Sequence, residues 1–113
     1  MINSLINFDD FAKVELHTGE IINAQSNPKA IKPAYILSID FGELGIKTSS
    51  AQLTQNYTTS DLIGTKIVAV TNFPPKKVAG VKSEVLVLAS VCDKKGTLLV
   101  KADPQAINGT RIW

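Results

Sequence analysis

The stretch IVAVTNFPPKKVAGVKSEVLVL, residues 67–88, contains the pattern that decides the fold. An apolar run at each end predicts a strand, here 66–72 and 84–91, because apolar, β-branched runs bounded by turn residues are typical of strands. Pro74-Pro75 stiffens the exit from the first strand, since proline fixes φ and cannot donate to a sheet. Gly80 permits a backbone conformation that a larger residue resists. The stretch therefore predicts two strands joined by a stiff connection.

The connection is also basic. Lys76, Lys77 and Lys82 lie within seven positions with no acid among them, and Ser83 follows. Ammonium groups and a hydroxyl on a stiff loop suit contacts with phosphate and ribose. The same lysines are equally compatible with a solvated hairpin that protects a sheet edge from pairing. The pattern alone leaves both interpretations open.

The rest of the chain predicts short strands and one small helix. Asn7 is a suitable N-cap for a helix over 7–14, and Asp9 and Asp10 lie in the first turn, which the helix dipole favours. Residues 35–41 alternate apolar and polar side chains with the period of a strand. Gly19 interrupts an earlier strand and indicates a bulge or sharp bend. The other predicted segments are a helical turn within 53–63 and strands at 14–24, 45–51 and 97–101.

Five or six short strands with glycine bends predict one all-β domain over residues 1–113. A five-stranded OB-type Greek-key barrel with a short N-terminal helix is the natural candidate. The strand at 84–91 is apolar on both faces. Such a strand is covered on both sides, by the barrel interior and by something outside it.

Composition limits the classes of function. The net charge is +2, but residues 1–20 carry −3, so the rest carries +5, a mild bias that permits a polyanionic partner. Cys92 is the single cysteine, which fits a reducing compartment. We find no basic, apolar leader at the N-terminus and no apolar run of roughly 18 residues. We therefore expect a cytoplasmic protein without membrane insertion.

Little in the sequence points to catalysis. One histidine and one cysteine lie far apart, so a zinc site is not expected, and no nucleophile-elbow or phosphate-loop motif occurs. Ser49-Ser50 is better explained by strand hydrogen bonding than by a nucleophile, since no base lies nearby in sequence. His17 is expected on the polar face of a strand. We expect neither an enzyme nor a metal or cofactor.

Four segments together carry a family resemblance: 8–24, 39–57, the opening stretch and 108–112. The opening stretch is the most specific, because it matches the pattern Asn-x-x-Pro-[Arg/Lys]-Lys-x-x-Gly-x-x-Ser. The matching residues are Asn72, Pro75, Lys76, Lys77, Gly80 and Ser83. In these segments the chain resembles the stand-alone tRNA-binding domain family, whose domain is also appended to methionyl-tRNA synthetases. It is most similar to a branch of short, export-related molecular chaperones.

The resemblance implies an OB fold, a homodimer formed through N- and C-terminal extensions, and two kinds of ligand. One ligand is tRNA, bound by its structure rather than its sequence. The other is an unfolded or preprotein chain, and tRNA binding without chaperone activity is the alternative. The implied nucleic-acid-binding residues are Lys47, Asn72, Lys76, Lys77, Lys82 and Ser83. The implied dimer-interface residues are Phe8, Phe11, Leu86, Leu88, Ile112 and Trp113.

Three positions depart from the family pattern. His17 replaces a common arginine, so a permanent charge becomes one that titrates near neutrality. Ser50-Ala51 replaces Ser-Gly. Glu84 replaces glutamine, and its carboxylate would oppose a phosphate. These departures favour the chaperone branch over strong tRNA binding.

Overall fold

Antiparallel strands form one sheet that curls into a nearly closed barrel in the computed structural model, which describes residues 4–113. Two separate hairpins and two short helices complete the fold. The strands are β1 Leu16–Ser26, β2 Tyr35–Asp40, β3 Ile46–Ala51, β4 Lys66–Val70, β5 Lys76–Val78, β6 Val81–Ser83, β7 Leu86–Val87, β8 Ala89–Cys92, β9 Gly96–Leu99 and β10 Arg111–Ile112. The helices are α1 Phe8–Ala12 and α2 Thr59–Leu62, and a 3-10 turn spans Gly42–Leu44.

The strand order confirms the predicted all-β barrel. The sheet runs β3-β2-β1-β4-β7, with β10 added beside the start of β1. Three consecutive strands and a fourth that returns beside the first make a Greek key. Hairpins β5–β6 and β8–β9 lie outside this sheet. No helix within residues 4–113 is long and apolar enough to span a membrane.

The alternation in β2 sets the core. Tyr35, Leu37 and Ile39 point inward with Phe41 and pack against apolar residues of β1 and β4. A Cβ on Gly19 of β1 would lie 2.7 Å from Phe41 Cε1, closer than carbon atoms pack. The absence of a side chain at Gly19 therefore lets the Phe41 ring pack directly against the backbone of β1. The predicted bulge was misplaced, because the register shifts between Ile21 and Asn23.

The predicted strand over 84–91 was wrong as one continuous element. The Leu88 N–H donates to the Val68 carbonyl at 2.9 Å, and the Leu88 carbonyl accepts from the Val100 N–H at 3.0 Å. The chain thus changes partners at Leu88. β7 belongs to the barrel, while β8 leaves it to pair with β9.

Helix α1 begins after Asn7, as the sequence predicts, whereas α2 begins after a cap that the sequence analysis did not identify. Asn7 and Asp10 form a reciprocal capping box at α1, and Thr58 and Asp61 form another at α2. Each box satisfies backbone N–H groups that a helix start leaves unpaired. The chain leaves α2 through Gly64, whose φ is +90°.

Side chains close the barrel between β3 and the segment that follows β6. Glu84 N–H donates to the Thr48 carbonyl at 2.8 Å, and Thr48 N–H donates to a Glu84 carboxylate oxygen at 3.1 Å. Two positions further along β3, Ser50 N–H donates to the Oγ of Ser83, the residue before Glu84, at 3.1 Å. Side-chain oxygens therefore take the places of carbonyls in this ladder. The seam joins the basic hairpin to the barrel.

Candidate nucleic-acid interface

The basic segment is a two-stranded hairpin, β5–β6, with separate chemistry on its two faces. Its turn places Ala79 and Gly80 in the left-handed region, with φ of 46° and 82°, as a two-residue type I′ turn requires. The register pairs Lys77 with Lys82 and Lys76 with Ser83. Because side chains alternate along a strand, Lys77 and Lys82 share one face. Lys76 and Ser83 share the other face.

The face with Lys77 and Lys82 carries uncompensated charge. Like charges directly opposite each other destabilise a hairpin. Within residues 4–113 the one ion pair joins Lys66 and Glu20, at 3.5 Å, so no carboxylate lies within pairing distance of either lysine. Both side chains are exposed. This arrangement is better suited to binding an external anion than to stabilising the hairpin itself.

The other face of the hairpin borders a groove of about 350 Å³. Apolar residues form most of it, with Phe73 and Pro74 before the hairpin, Val78 within it, and Leu86 after it. Lys76, Ser83 and Glu84 also line it. A second groove of about 360 Å³ shares Ser50 and Leu86 with the first and continues along 87–91. The two grooves form a mainly apolar trough on the face of the hairpin opposite Lys77 and Lys82.

Two predicted RNA contacts lie away from the hairpin. The Asn72 amide accepts from the Glu15 N–H at 3.0 Å and donates to the Lys13 carbonyl at 2.7 Å. It fastens the link between α1 and β1 to the end of β4. Lys47 is half-buried on β3, opposite Ile39. RNA contacts by all six residues stay predictions, and the structure brings four of them, Lys76, Lys77, Lys82 and Ser83, together on the two faces of the hairpin.

Glu84 and Ser83 have structural partners that the sequence did not reveal. The Glu84 carboxylate accepts from a backbone N–H of β3, so it holds the barrel closed. The Ser83 hydroxyl accepts from another such N–H and retains its own hydrogen to donate. The interpretation of Glu84 as only an unfavourable charge near phosphate was incomplete.

His17 does not lie on a polar face, so that prediction was wrong. It is 9% exposed, and its Nδ1 lies 2.7 Å from Thr71 Oγ1. Thr71 donates its hydroxyl hydrogen to the Glu15 carbonyl, so the imidazole Nδ1 is the donor to Thr71. Burial lowers the pKa of His17, the Arg111 guanidinium lowers it further, and Glu15 opposes them. The neutral form of this buried histidine is therefore favoured.

The predicted interface residues at the two termini meet in one aromatic cluster. The rings of Phe8 and Trp113 stack with centroids 5.9 Å apart, and Phe11 lies 6.1 Å from Phe8. The Arg111 guanidinium covers Trp113 at 4.2 Å. Phe8 and Trp113 remain 64% and 67% exposed. The terminal cluster therefore presents aromatic surface to solvent.

The other predicted interface residues lie on the outer face of the barrel. The register aligns Ile112, Leu16, Val70 and Leu86 across β10, β1, β4 and β7. The neighbouring row contains Ala69, which belongs to the core, so this row faces outward. Leu86 is 50% exposed, and half-buried Leu88 lies between β7 and β8, where the chain changes partners. Of the second apolar face predicted for 84–91, β7 therefore presents Leu86 on the outside of the barrel.

The sequence interpretation missed the loop 27–33 as a neighbour of the hairpin. Asn27 Nδ2 donates to the carbonyl of Ala79 in the hairpin turn at 3.2 Å. The sequence SNPKAIKP showed two lysines and two prolines in this loop. Nothing local in that pattern places it against a hairpin some fifty residues later.

The hydroxyl of buried Ser49 donates to the Val85 carbonyl at 3.1 Å. This contact agrees with a strand hydrogen-bonding role. Within residues 4–113 there is no group of three or more metal-ligating side chains.

A Greek-key barrel of the OB type that carries a basic hairpin beside an apolar trough defines a class of small binding module. The chain belongs to the tRNA-binding domain family, whose model, described as "Putative tRNA binding domain", matches residues 16–111. It is similar to the chaperone CsaA of Bacillus anthracis str. Ames, with 49% identity, a TM-score of 0.91, and coverage of 97% of this chain and 100% of that one. The CsaA chaperone structure from Picrophilus torridus is 44% identical with a TM-score of 0.90, covering 96% of this chain and 100% of that one.

Curated relatives include much longer enzymes. The methionine–tRNA ligase of Methanococcoides burtonii is 33% identical over 108 residues, which is 96% of this chain and 16% of the ligase. The chain thus spans about one-sixth of the length of that ligase. The similarity concerns this segment of the ligase.

Proposed function

We propose that this protein binds tRNA through the basic face of hairpin β5–β6. The observation that carries the proposal is the direct pairing of Lys77 with Lys82, exposed and without a carboxylate partner. Ammonium groups contact phosphate but do not by themselves read base sequence. The basic face contains no aromatic platform for stacked bases. Recognition through the shape of the tRNA backbone follows from this chemistry.

Removing the lysines tests this proposal. Lys77→Ala/Lys82→Ala is expected to lose tRNA affinity in a fluorescence-anisotropy titration at low salt. The matched control is Lys94→Ala/Lys95→Ala, because these exposed lysines lie at the turn of the other hairpin, β8–β9. An equal loss in both variants would show that net charge, and not the hairpin, governs binding.

We also propose that the protein is a homodimer formed through the terminal cluster and the outer row. The chain exposes 7471 Å², against about 6,100 Å² expected for a folded monomer of its mass. Part of the excess is apolar, since Leu5, Phe8, Leu86 and Trp113 are each at least half exposed. Large exposed apolar patches mark interaction sites.

The mass of the particle in solution tests the homodimer. Phe8→Asp combined with Leu86→Asp is expected to give a folded monomer in light scattering. Ile31→Asp, in a fully exposed loop position, is the control that should leave a dimer. A wild-type protein that is monomeric at micromolar concentration would refute the proposed interface.

A second function, that of a CsaA-like chaperone related to protein export, is favoured by the trough. Its apolar walls suit side chains of an unfolded or preprotein chain, and Lys76 and Glu84 supply charged groups beside them. The test is the delay of aggregation of a chemically unfolded client at one dimer per client. Phe73→Ser is expected to weaken the delay while tRNA binding is retained. If wild type gives no delay, the alternative of tRNA binding without chaperone activity stands.

A further inference from the structure

The loop between β1 and β2, residues 27–33, is fixed against the basic hairpin by a buried asparagine. Asn27 is 7% exposed, and its Nδ2 donates to the Ala79 carbonyl at 3.2 Å. Its Oδ1 accepts from the Lys29 N–H at 3.0 Å, and its own N–H donates to the Ala34 carbonyl at 3.0 Å. One side chain therefore shapes the loop and ties it to the hairpin turn.

The strain in the hairpin turn supports this arrangement. Ala79 is the one non-glycine residue with positive φ within residues 4–113. A residue with a Cβ adopts that region at a cost in free energy. The same residue supplies the carbonyl that Asn27 binds. Local strain is retained where surrounding contacts over-determine it, often at functional sites.

The loop contact brings a further ammonium group to the hairpin. A Cβ built on Gly80 would lie 3.1 Å from Lys29 Cδ and 3.6 Å from Lys29 Nζ. The Lys29 side chain thus lies over the turn that joins the strands of Lys77 and Lys82. The one ion pair of the described chain lies elsewhere, between Lys66 and Glu20. Lys32 is exposed three residues further along the loop.

We propose that residues 27–33 form a second arm of the tRNA-binding surface, in which Lys29 contacts a backbone phosphate next to those bound by Lys77 and Lys82. Lys32 is exposed in the same loop. This inference rests on the proposed tRNA-binding function and adds a residue outside the family motif. Phosphate contacts from two connected elements fix the orientation of an RNA backbone better than contacts from one.

An RNA backbone fits this arm better than a lipid surface, which offers the same phosphate chemistry. An extended apolar face beside the charges stabilises binding to a membrane surface. The loop presents one large apolar side chain, Ile31, which is fully exposed. Charge without such a face suits a hydrated polyanion.

The experiment measures tRNA affinity against salt for Lys29→Ala, Lys29→Arg and Lys77→Ala/Lys82→Ala, with Lys94→Ala as the matched control. One lost phosphate contact makes the slope of log K against log salt shallower by about 0.7–0.9. It therefore lowers affinity by up to about eightfold at 0.1 M salt. Lys29→Arg keeps the charge and is expected to retain both affinity and slope. The thermal transition of each variant should match wild type, because Lys29 is exposed.

The outcomes separate the arm from the hairpin. If Lys29→Ala binds like wild type while the hairpin variant loses affinity, the second arm is wrong and the tRNA-binding proposal survives. If neither loses affinity, both proposals fail. If Lys29→Ala loses binding to phosphatidylserine vesicles and not to tRNA, the arm serves a lipid surface, and the inference is overturned.

Discussion

Glu84 allows the seam of the barrel and the charge of the hairpin to be tested separately. Its carboxylate accepts from the Thr48 N–H at 3.1 Å, and its own N–H donates to the Thr48 carbonyl at 2.8 Å. Glu84→Gln keeps a side-chain oxygen of the same reach and removes the charge. Glu84→Ala removes both the charge and the acceptor.

The two substitutions should affect stability differently. A hydrogen bond to a charged acceptor contributes about 1.5–3 kcal/mol when buried, and Glu84 is half-buried, so we expect Glu84→Ala to cost about 1–2 kcal/mol. For a domain of about this size that lowers Tm by roughly 5–15 °C. Glu84→Gln retains a neutral hydrogen bond and should cost under about 1 kcal/mol.

The effect on tRNA is predicted from Coulomb's law. A unit charge about 8 Å from a phosphate in water contributes about 0.5 kcal/mol, which is roughly a twofold change in Kd. Glu84→Gln should therefore bind tRNA about twofold more tightly. Urea unfolding gives the stability of each variant, and anisotropy titration gives Kd. If Glu84→Ala is as stable as Glu84→Gln, the proposed role of the carboxylate in closing the barrel is refuted.

The other predictions concern the core, the hairpin turn and the buried histidine. Gly19→Ala should lose about 1–3 kcal/mol in urea unfolding, because its Cβ would lie 2.7 Å from Phe41 Cε1; wild-type stability would contradict this packing. Ala79→Asn should gain about 0.5–1 kcal/mol, since Asn-Gly is the preferred type I′ pair; a loss would contradict the turn assignment. The pKa of His17 is lowered on folding, so below pH about 6.5 the unfolded chain takes up the proton first and wild type loses stability. His17→Gln should show a flatter pH dependence in urea unfolding between pH 7.5 and 5, and equal curves would refute this role.

The periodic and local features of the fold were predictable from sequence. The alternation of 35–41 gave β2 and its inward face, and Asn7 with its following acids marked the start of α1. Gly80 and the prolines marked the stiff connection after β4. These features depend on neighbours close in sequence, where propensity and side-chain spacing determine the structure.

The arrangement of the candidate site depends on contacts between residues far apart in sequence, which local patterns do not contain. Ser83 and Glu84 bond to β3 residues that lie 33 and 36 positions away, and Asn72 bonds to Glu15 across 57. The burial of His17 could not be predicted, because the alternation of side chains along β1 defines two faces of the strand without showing which one faces the barrel interior. The lysines were visible, but their division between two hairpin faces required the register.

The slope of tRNA affinity against salt tests the central claim most directly. The titrations with tRNA between 50 and 300 mM salt compare wild type, Lys77→Ala/Lys82→Ala and Lys94→Ala/Lys95→Ala. The three proteins should have about the same stability. If the paired lysines bind two phosphates, the hairpin variant should have a slope shallower than wild type by about 1.4–1.8 for each engaged subunit. The control should keep the wild-type slope. Equal slopes for wild type and the hairpin variant would contradict the assignment of this face to RNA.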